Sequence, residues 1–156
     1  MNGWADSPLT ERGEAQVRAA GVILAQHPIQ LIVTSDLQRA HRTAEIVAET
    51  HGGSINIEVY PGLRERHLGI YENQPCSLRP ELDEVLEGGG GPDDYYHRVV
   101  NTLAQIHVNH DALIVAHAGT LRVLHRILGL NEMSACVANT SVGYYFLNEA
   151  WNQTFL

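Results

Sequence analysis

The stretch ALIVAHAGTLRVLHRILG, residues 112–129, joins a short apolar run to an amphipathic pattern and decides the fold class. The apolar run is typical of a buried strand, and it ends at His117. From Gly119 onward the apolar residues recur at helical spacing, which predicts a helix that ends near Gly129. The stretch therefore predicts a strand, a tight turn that carries an imidazole, and a helix.

The same alternation runs along the rest of the chain. Helices are predicted after the candidate N-cap Thr10, from Asp36 to the His-Gly-Gly at 51–53, and after the four glycines at 88–91. Further strands are predicted at 29–35, 54–60 and 141–147, and an irregular excursion at 61–92. Strands that alternate with helices indicate a three-layer α/β sandwich with a mainly parallel sheet. No repeat or linker interrupts the pattern, so we predict a single domain over residues 1–156.

Composition limits the classes of function. The chain has 156 residues, 44% of them apolar, which is typical of a globular domain with a real core. A net charge of -8 argues against nucleic-acid binding, and no run approaches the ~20 apolar residues of a membrane span. The N-terminus has no signal-peptide pattern, and Cys76 and Cys136 form no CxxC. We therefore expect a cytoplasmic protein with two reduced thiols.

Polar side chains follow three of the predicted strands. Arg39, Glu65 and His117 each come shortly after a strand-like run. Because ligands bind at the carboxyl ends of the strands in such sheets, we expect the three side chains to converge at one edge. An arginine clamps anionic oxygens and a carboxyl group donates a proton, so the set suits a phosphate-like substrate. It includes no serine or cysteine nucleophile.

Simpler interpretations of these residues stay open on periodicity alone. His117 also fits a packed histidine, Arg39 a solvated helix face, and Glu65 a charged surface loop. His107 and His110 have a spacing of i, i+3 but no accompanying acidic or thiol ligands, so no metal site is predicted. The four glycines match neither nucleotide-binding fingerprint, so no cofactor is predicted.

Five segments in order resemble motifs of the histidine phosphatase superfamily, the phosphoglycerate mutase-like proteins. They cover nearly the whole chain: DSPLTERGEAQ (6–16), TSDLQRAHRTAEIVAE (34–49), GLRERHLGIYEN (62–73), VAHAGTLR (115–122) and NTSVGYYFL (139–147). The resemblance implies metal-free phosphoryl transfer to a nucleophilic histidine, followed by hydrolysis with water. By position it makes Glu65 the proton donor, His117 the second histidine and Arg39 a phosphate ligand.

The chain departs from the family pattern at its beginning. The family carries its nucleophile in an Arg-His-Gly motif after the first strand, and the tripeptide occurs nowhere in these 156 residues. We therefore expect an N-terminally shortened chain that lacks the first strand and is inactive alone. The strand ending at His117 and the strand over 142–147 are then expected to flank a vacancy. They either close up on each other or are completed by a second chain, and we favour a homodimer.

Several functions remain open under the resemblance. The region between Glu65 and the four glycines at 88–91 is short, which under the resemblance favours a small phosphatase that acts on a small phosphorylated metabolite. The ERHLG segment (65–69) is similar to the mutase pattern and favours a phosphotransferase of the phosphoglycerate mutase type instead. The missing tripeptide leaves a third alternative, a non-catalytic anion-binding or interaction module.

Overall fold

The computed structural model of the chain describes residues 2–52, 54–78, 80–81, 83–107 and 110–130, with the backbone of 143–147 and 151–155. The helices are α1 (Glu11–Leu24), α2 (Gln38–His51), α3 (Pro92–Leu103) and α4 (Ala118–Ile127). The strands are β1 (Leu31–Thr34), β2 (Asn56–Val59), β3 (Ala112–Val115), β4 (Gly143–Leu147) and β5 (Trp151–Phe155). Short 3-10 turns lie at Pro61–Leu63, Gly69–Tyr71 and Cys76–Leu78 within the predicted irregular excursion.

Three strands form a parallel sheet in the order β2-β1-β3, which confirms the predicted α/β class. Thr34 at the end of β1 is level with Val59 of β2 and Val115 of β3. Because the three strands end level, the residues that follow them emerge at one edge of the sheet. This register brings the candidate site residues to the carboxyl edge of the sheet.

Helices cover both faces of the sheet, as the three-layer prediction requires. On one face, Val17 and Leu24 of α1 and Ile46 of α2 pack on Ile32 of β1. On the other face, Val33 packs with Leu63 of the turn Pro61–Leu63, with Leu103 at the end of α3 and with Ile106 just after it. Each buried aliphatic side chain contributes about 1.5–3 kcal/mol, so these two clusters hold the layers together.

The residues that the sequence predicted to begin or end helices do so in the structure. The Thr10 side chain accepts the Gly13 N–H at 3.1 Å and begins α1. Gly52 ends α2 with φ of 74°, a left-handed conformation that suits glycine. Gly91 precedes α3, and its N–H donates to the carboxylate of Asp94 at 3.3 Å. None of the described helices has the length and apolar character needed to cross a bilayer.

Two of the three parallel strands are partly exposed. Ile114 in β3 is 38% exposed and Val59 in β2 is 41% exposed. Both strands pair on one side only among the described strands, with β1 between them. The sequence predicted a buried strand before His117, and β3 is instead partly exposed, because an apolar run reflects the composition of a strand and not its place in the sheet.

The closing strand also has an unexpected partner. Residues 143–147 form β4, which pairs antiparallel with β5, a strand that the sequence analysis did not predict. Among the described strands β3 pairs with β1 and not with β4, so the two do not close up on each other. The N-T-S residues at 139–141, the first residues of the predicted strand at 141–142, and Cys136 lie outside the described residues.

Candidate active site

The segments after β1, β2 and β3 carry the three residues that the sequence singled out. Arg39 lies in the first turn of α2, Glu65 follows the turn Pro61–Leu63, and His117 is the N-cap residue of α4. The charge of Glu65 acts on both Arg39 and His117. The structure thus brings the three side chains together at the carboxyl edge of the sheet, as parallel strands that end level require.

The carboxylate of Glu65 is held by backbone N–H groups. Its Oε2 accepts the N–H of Gly119 at 3.1 Å, and its Oε1 accepts the N–H of Arg66 at 2.8 Å. Gly119 lies in the first turn of α4, where the partial positive charge of the helix terminus favours a carboxylate. A Cβ at Gly119 would lie 2.3 Å from Glu65 Oε1, so glycine is what allows this approach.

His117 is a neutral imidazole in a half-buried setting. Burial, together with the charges of Arg39 and Arg98, lowers the pKa of His117 to about 4, although the charge of Glu65 opposes the shift. Its Nε2 lies 2.8 Å from the hydroxyl Oγ of Ser35. At pH 7 the ring therefore acts through hydrogen bonds and not through a full positive charge.

Arg39 is half-buried, and its guanidinium does not lie on a solvated helix face. It donates to the carbonyl oxygens of Gly3 at 2.7 Å and Ala5 at 3.1 Å. Burial lowers the pKa of Arg39, and the nearby charge of Glu65 opposes this. The solvated-face interpretation instead suits Arg42, which pairs with Glu14, Glu45 and Glu49.

Sequence reasoning missed two residues of α3 that support Glu65. Arg98 donates to the carbonyl oxygens of Gly62 at 2.7 Å, Arg64 at 2.9 Å and Glu65 at 3.0 Å. Its guanidinium also lies 5.0 Å from the ring centroid of Tyr95. Burial and the charge of Glu65 raise the pKa of the Tyr95 hydroxyl, which bonds Thr120 at 3.1 Å. The helical pattern placed these residues on α3 but contained no signal for the loop that they contact.

Trp4 is a further residue that the sequence analysis did not single out. Its indole N–H donates to the carbonyl oxygen of Glu65 at 2.7 Å, and the guanidinium of Arg64 lies 4.9 Å from its ring centroid. The backbone N–H groups of Trp4 and Ala5 both donate to the Glu72 carboxylate. Residues 3–5 thus lie across the site, held between Arg39 and Glu72.

Ser35 was the fourth omission, although it is the last residue of the predicted strand 29–35 and lies within a quoted motif. The sequence analysis expected no serine nucleophile and did not single out Ser35, whose hydroxyl contacts His117. Ser35 has no exposed surface. The signal that could have identified Ser35 is its position directly after β1, because the residues that follow adjacent parallel strands lie close together.

Two other features of the described residues bear on possible ligands. No group of three or more His, Cys, Asp or Glu side chains within the described ranges has a metal-site arrangement. A cavity of about 380 Å³ lies between α1 and α2, lined in part by Glu14, Arg42 and Glu45. Glu14 and Glu45 both pair with Arg42, so the arginine among the described lining residues is already neutralised and does not attract an anionic ligand.

The arrangement at the sheet edge combines three chemical capacities. Arg39 supplies a positive charge, and the neutral ring of His117 supplies one hydrogen-bond donor and one acceptor. Glu65 supplies a carboxyl group next to both. Such a set can attract an oxyanion and exchange a proton with it.

Comparison with known proteins places the chain in a family. Residues 1–144 match the family model of the histidine phosphatase superfamily (branch 1). A "Probable phosphoglycerate mutase GpmB" of Photorhabdus laumondii is 46% identical over 96 residues, which cover 58% of this chain and 44% of that protein. The protein of the same name from Erwinia tasmaniensis is 32% identical over 147 residues, which cover 83% of this chain and 67% of that protein.

The fold has a close counterpart among solved structures. The mycobacterial glucosyl-3-phosphoglycerate phosphatase in complex with VO3 superposes with a TM-score of 0.80 at 26% identity. The match covers 99% of this chain and 89% of that structure. The matched part of the chain thus spans less than half of the Photorhabdus relative but most of the solved phosphatase. The family model, the relatives and the fold agree that this chain belongs to the histidine phosphatase superfamily.

Proposed function

We propose that the protein acts in phosphate-ester chemistry as a phosphomonoesterase, with Glu65, His117 and Arg39 around the phosphoryl group. The observation that carries the proposal is their convergence at the carboxyl edge of a parallel sheet. The names of the relatives support it, because a phosphoglycerate mutase and a glucosyl-3-phosphoglycerate phosphatase both act on phosphate esters. The substrate we propose is a small phosphorylated metabolite.

Each residue has one role in this proposal. Arg39 holds equatorial oxygens of the phosphoryl group, and His117 donates a hydrogen bond to another of them. In the family route the histidine of the Arg-His-Gly motif attacks phosphorus, and Glu65 gives its proton to the ester oxygen as the P–O bond breaks, so that the alcohol leaves neutral. Water then attacks the phosphorus of the phosphohistidine, Glu65 takes up a proton of the water, and phosphate is released as the P–N bond breaks.

The family route passes through a phosphohistidine, which forms on the histidine of an Arg-His-Gly motif. The 156 residues contain no such tripeptide. We propose that this chain by itself binds an oxyanion and does not turn over a phosphate ester. Losing a catalytic residue that acts as part of a unit costs on the order of a million-fold in turnover.

Two other functions have a specific observation in their favour. The names of the curated relatives favour a phosphoglycerate mutase-type phosphotransferase. The missing tripeptide favours a non-catalytic anion-binding or interaction module. A chain extended by a strand and an Arg-His-Gly segment separates these functions: hydrolysis indicates a phosphatase, transfer between phosphoglycerates a mutase, and neither reaction a binding module.

The test of the site is the binding of orthovanadate and inorganic phosphate to the 156-residue chain, measured by calorimetry. We expect weak binding that Arg39→Ala reduces, whereas Arg12→Ala, at an exposed position without a recorded ion pair, leaves it unchanged. Equal affinity in the Arg39→Ala chain would remove Arg39 from the site. Turnover of p-nitrophenyl phosphate that depends on Glu65 and His117 would contradict the proposed inactivity.

The homodimer that we propose follows from the edge of the parallel sheet. β3 pairs with β1 alone among the described strands, and an unpaired edge favours completion by a second chain, so we propose a homodimer. A monomer in light scattering at dilute concentration would overturn the proposed homodimer.

We further propose a cytoplasmic location and no nucleic-acid partner, in line with the net charge of -8.

A further inference from the structure

A hydrogen bond between two strand ends links Ser35 to His117. β1 and β3 pair in parallel with Thr34 level with Val115, so the residues that follow them lie side by side. The Ser35 hydroxyl Oγ lies 2.8 Å from His117 Nε2, although 82 positions separate them in sequence. The contact therefore depends on the register of the sheet.

The burial of Ser35 excludes a nucleophilic role for its hydroxyl. The residue has no exposed surface, so the phosphorus of a substrate has no path to Oγ. Ser35 is thus not placed as a nucleophile. It touches His117 and acts through it.

The hydroxyl hydrogen of Ser35 needs an acceptor because a buried donor left without one is costly. Among the described residues the hydrogen bonds recorded for Oγ are limited to the one with His117 Nε2. If Nε2 carried a proton and donated it to Oγ, the serine hydrogen would have no partner. The bond that satisfies both groups runs from Ser35 to an unprotonated Nε2.

We propose that Ser35 is a positioning residue that donates its hydroxyl hydrogen to His117 Nε2 and so holds the neutral tautomer protonated at Nδ1. A neutral imidazole has one donor and one acceptor, so an accepting Nε2 makes Nδ1 the donor. Among the described residues Nδ1 has no hydrogen-bond partner, so we propose that its proton is offered to a bound ligand. The role of that donor toward a phosphoryl oxygen rests on the proposed function, whereas the tautomer itself does not.

The charged groups around His117 are consistent with a neutral ring. Glu65 favours its protonation, whereas burial, the largest cause, acts together with Arg39 and Arg98 to lower the pKa to about 4. With the ring uncharged at pH 7, only the position of its single proton decides what it can donate. Ser35 sets that position.

The test is nuclear magnetic resonance of the full chain labelled with 15N at histidine, with His117 assigned from its missing signals in His117→Gln. At pH 7 we expect a protonated Nδ1 and an unprotonated Nε2 in the wild-type chain. Ser35→Ala should shift the proton toward Nε2, and Ser35→Thr, which keeps the hydroxyl, should retain the wild-type pattern. Ser54→Ala removes an exposed serine hydroxyl and should change nothing.

A protonated Nε2 in the wild-type chain, or an unchanged tautomer in Ser35→Ala, would overturn the proposal. Because the wild-type spectrum alone reports the tautomer, a Ser35→Ala chain that fails to fold does not remove the test. Adding inorganic phosphate tests the ligand separately, and we expect its Kd to rise about three- to tenfold in Ser35→Ala. If phosphate leaves the His117 signals unmoved while the tautomer is as stated, the proposed function fails and the assignment of Ser35 stands.

Discussion

Glu65 and Gly119 are joined by a hydrogen bond in which Oε2 of the carboxylate accepts the Gly119 N–H at 3.1 Å. The bond ties the loop after β2 to the first turn of α4, which begins directly after His117. The proposed proton donor and the imidazole are therefore positioned by the same helix terminus. A change at that terminus affects both.

Gly119→Ala should lower the free energy of unfolding. A new Cβ would lie 2.3 Å from Glu65 Oε1 and 2.6 Å from the Tyr95 hydroxyl, so both side chains must move. Overpacking of this kind costs about 1–3 kcal/mol, whereas alanine in place of glycine ordinarily stabilises a helix by up to ~1 kcal/mol. Urea unfolding measures the difference, with Gly90→Ala as the control because nothing lies within 4 Å of its Cβ position. A Gly119→Ala chain as stable as the wild type would mean that Glu65 does not occupy this position.

His117 should make stability depend on pH between about 6.5 and 4. Its folded pKa of about 4 lies below the ordinary value of 6.5, so in this range the unfolded chain binds a proton that the folded chain does not. Stability therefore falls as pH falls, by up to about 1.4 kcal/mol per pH unit. His117→Gln should flatten this slope in urea titrations at several pH values, and His107→Asn, at an exposed position, should preserve it. An identical slope in the His117→Gln chain would contradict the buried neutral ring.

Asp36 should support the fold until the solution becomes strongly acidic. Hydrogen bonds from Arg64, one of them 2.7 Å long, hold the pKa of Asp36 below its usual range. A lowered carboxylate pKa stabilises the fold above the unfolded value near 3.9, and this stabilisation is lost as pH falls through the folded value. For a partly exposed pair we expect roughly 0.5–1 kcal/mol at neutral pH. Asp36→Asn should lose it at pH 7 and differ less from the wild type at pH 2, measured by thermal unfolding.

The Glu72 carboxylate should be required for the docking of residues 3–5. It accepts the N–H of Trp4 at 2.8 Å and that of Leu68 at 2.9 Å, in addition to that of Ala5. Glu72→Gln turns one of its oxygens into a donor, so at least one of these N–H groups loses its acceptor. We expect the fluorescence of Trp4, read in a Trp151→Phe background, to shift toward that of a solvated indole. Glu81→Gln, an exposed substitution, provides the comparison, and an unshifted Glu72→Gln spectrum would show that the Glu72 carboxylate is not required for docking.

The pattern of apolar residues was enough to predict the helices and the parallel sheet. Thr10, Gly52 and Gly91 mark helix ends that depend on neighbouring residues only. The half-exposed β3 and the pairing of β4 with β5 were not predictable in this way. Burial and pairing depend on which strands become neighbours, and the composition of a single strand contains no record of that.

The candidate site divides along the same line. The sequence alone determined the residue types and their positions after strands, namely Arg39, Glu65 and His117. It also contained the ordered motifs that identified the family. The tertiary structure alone decided the contacts that give those residues their properties. Ser35 bonds His117 across 82 positions, and Trp4 bonds the carbonyl oxygen of Glu65 across 61. Periodicity reports interactions between residues a few positions apart, whereas these bonds form only when sheet register and loop packing bring distant backbone and side chains within about 3 Å.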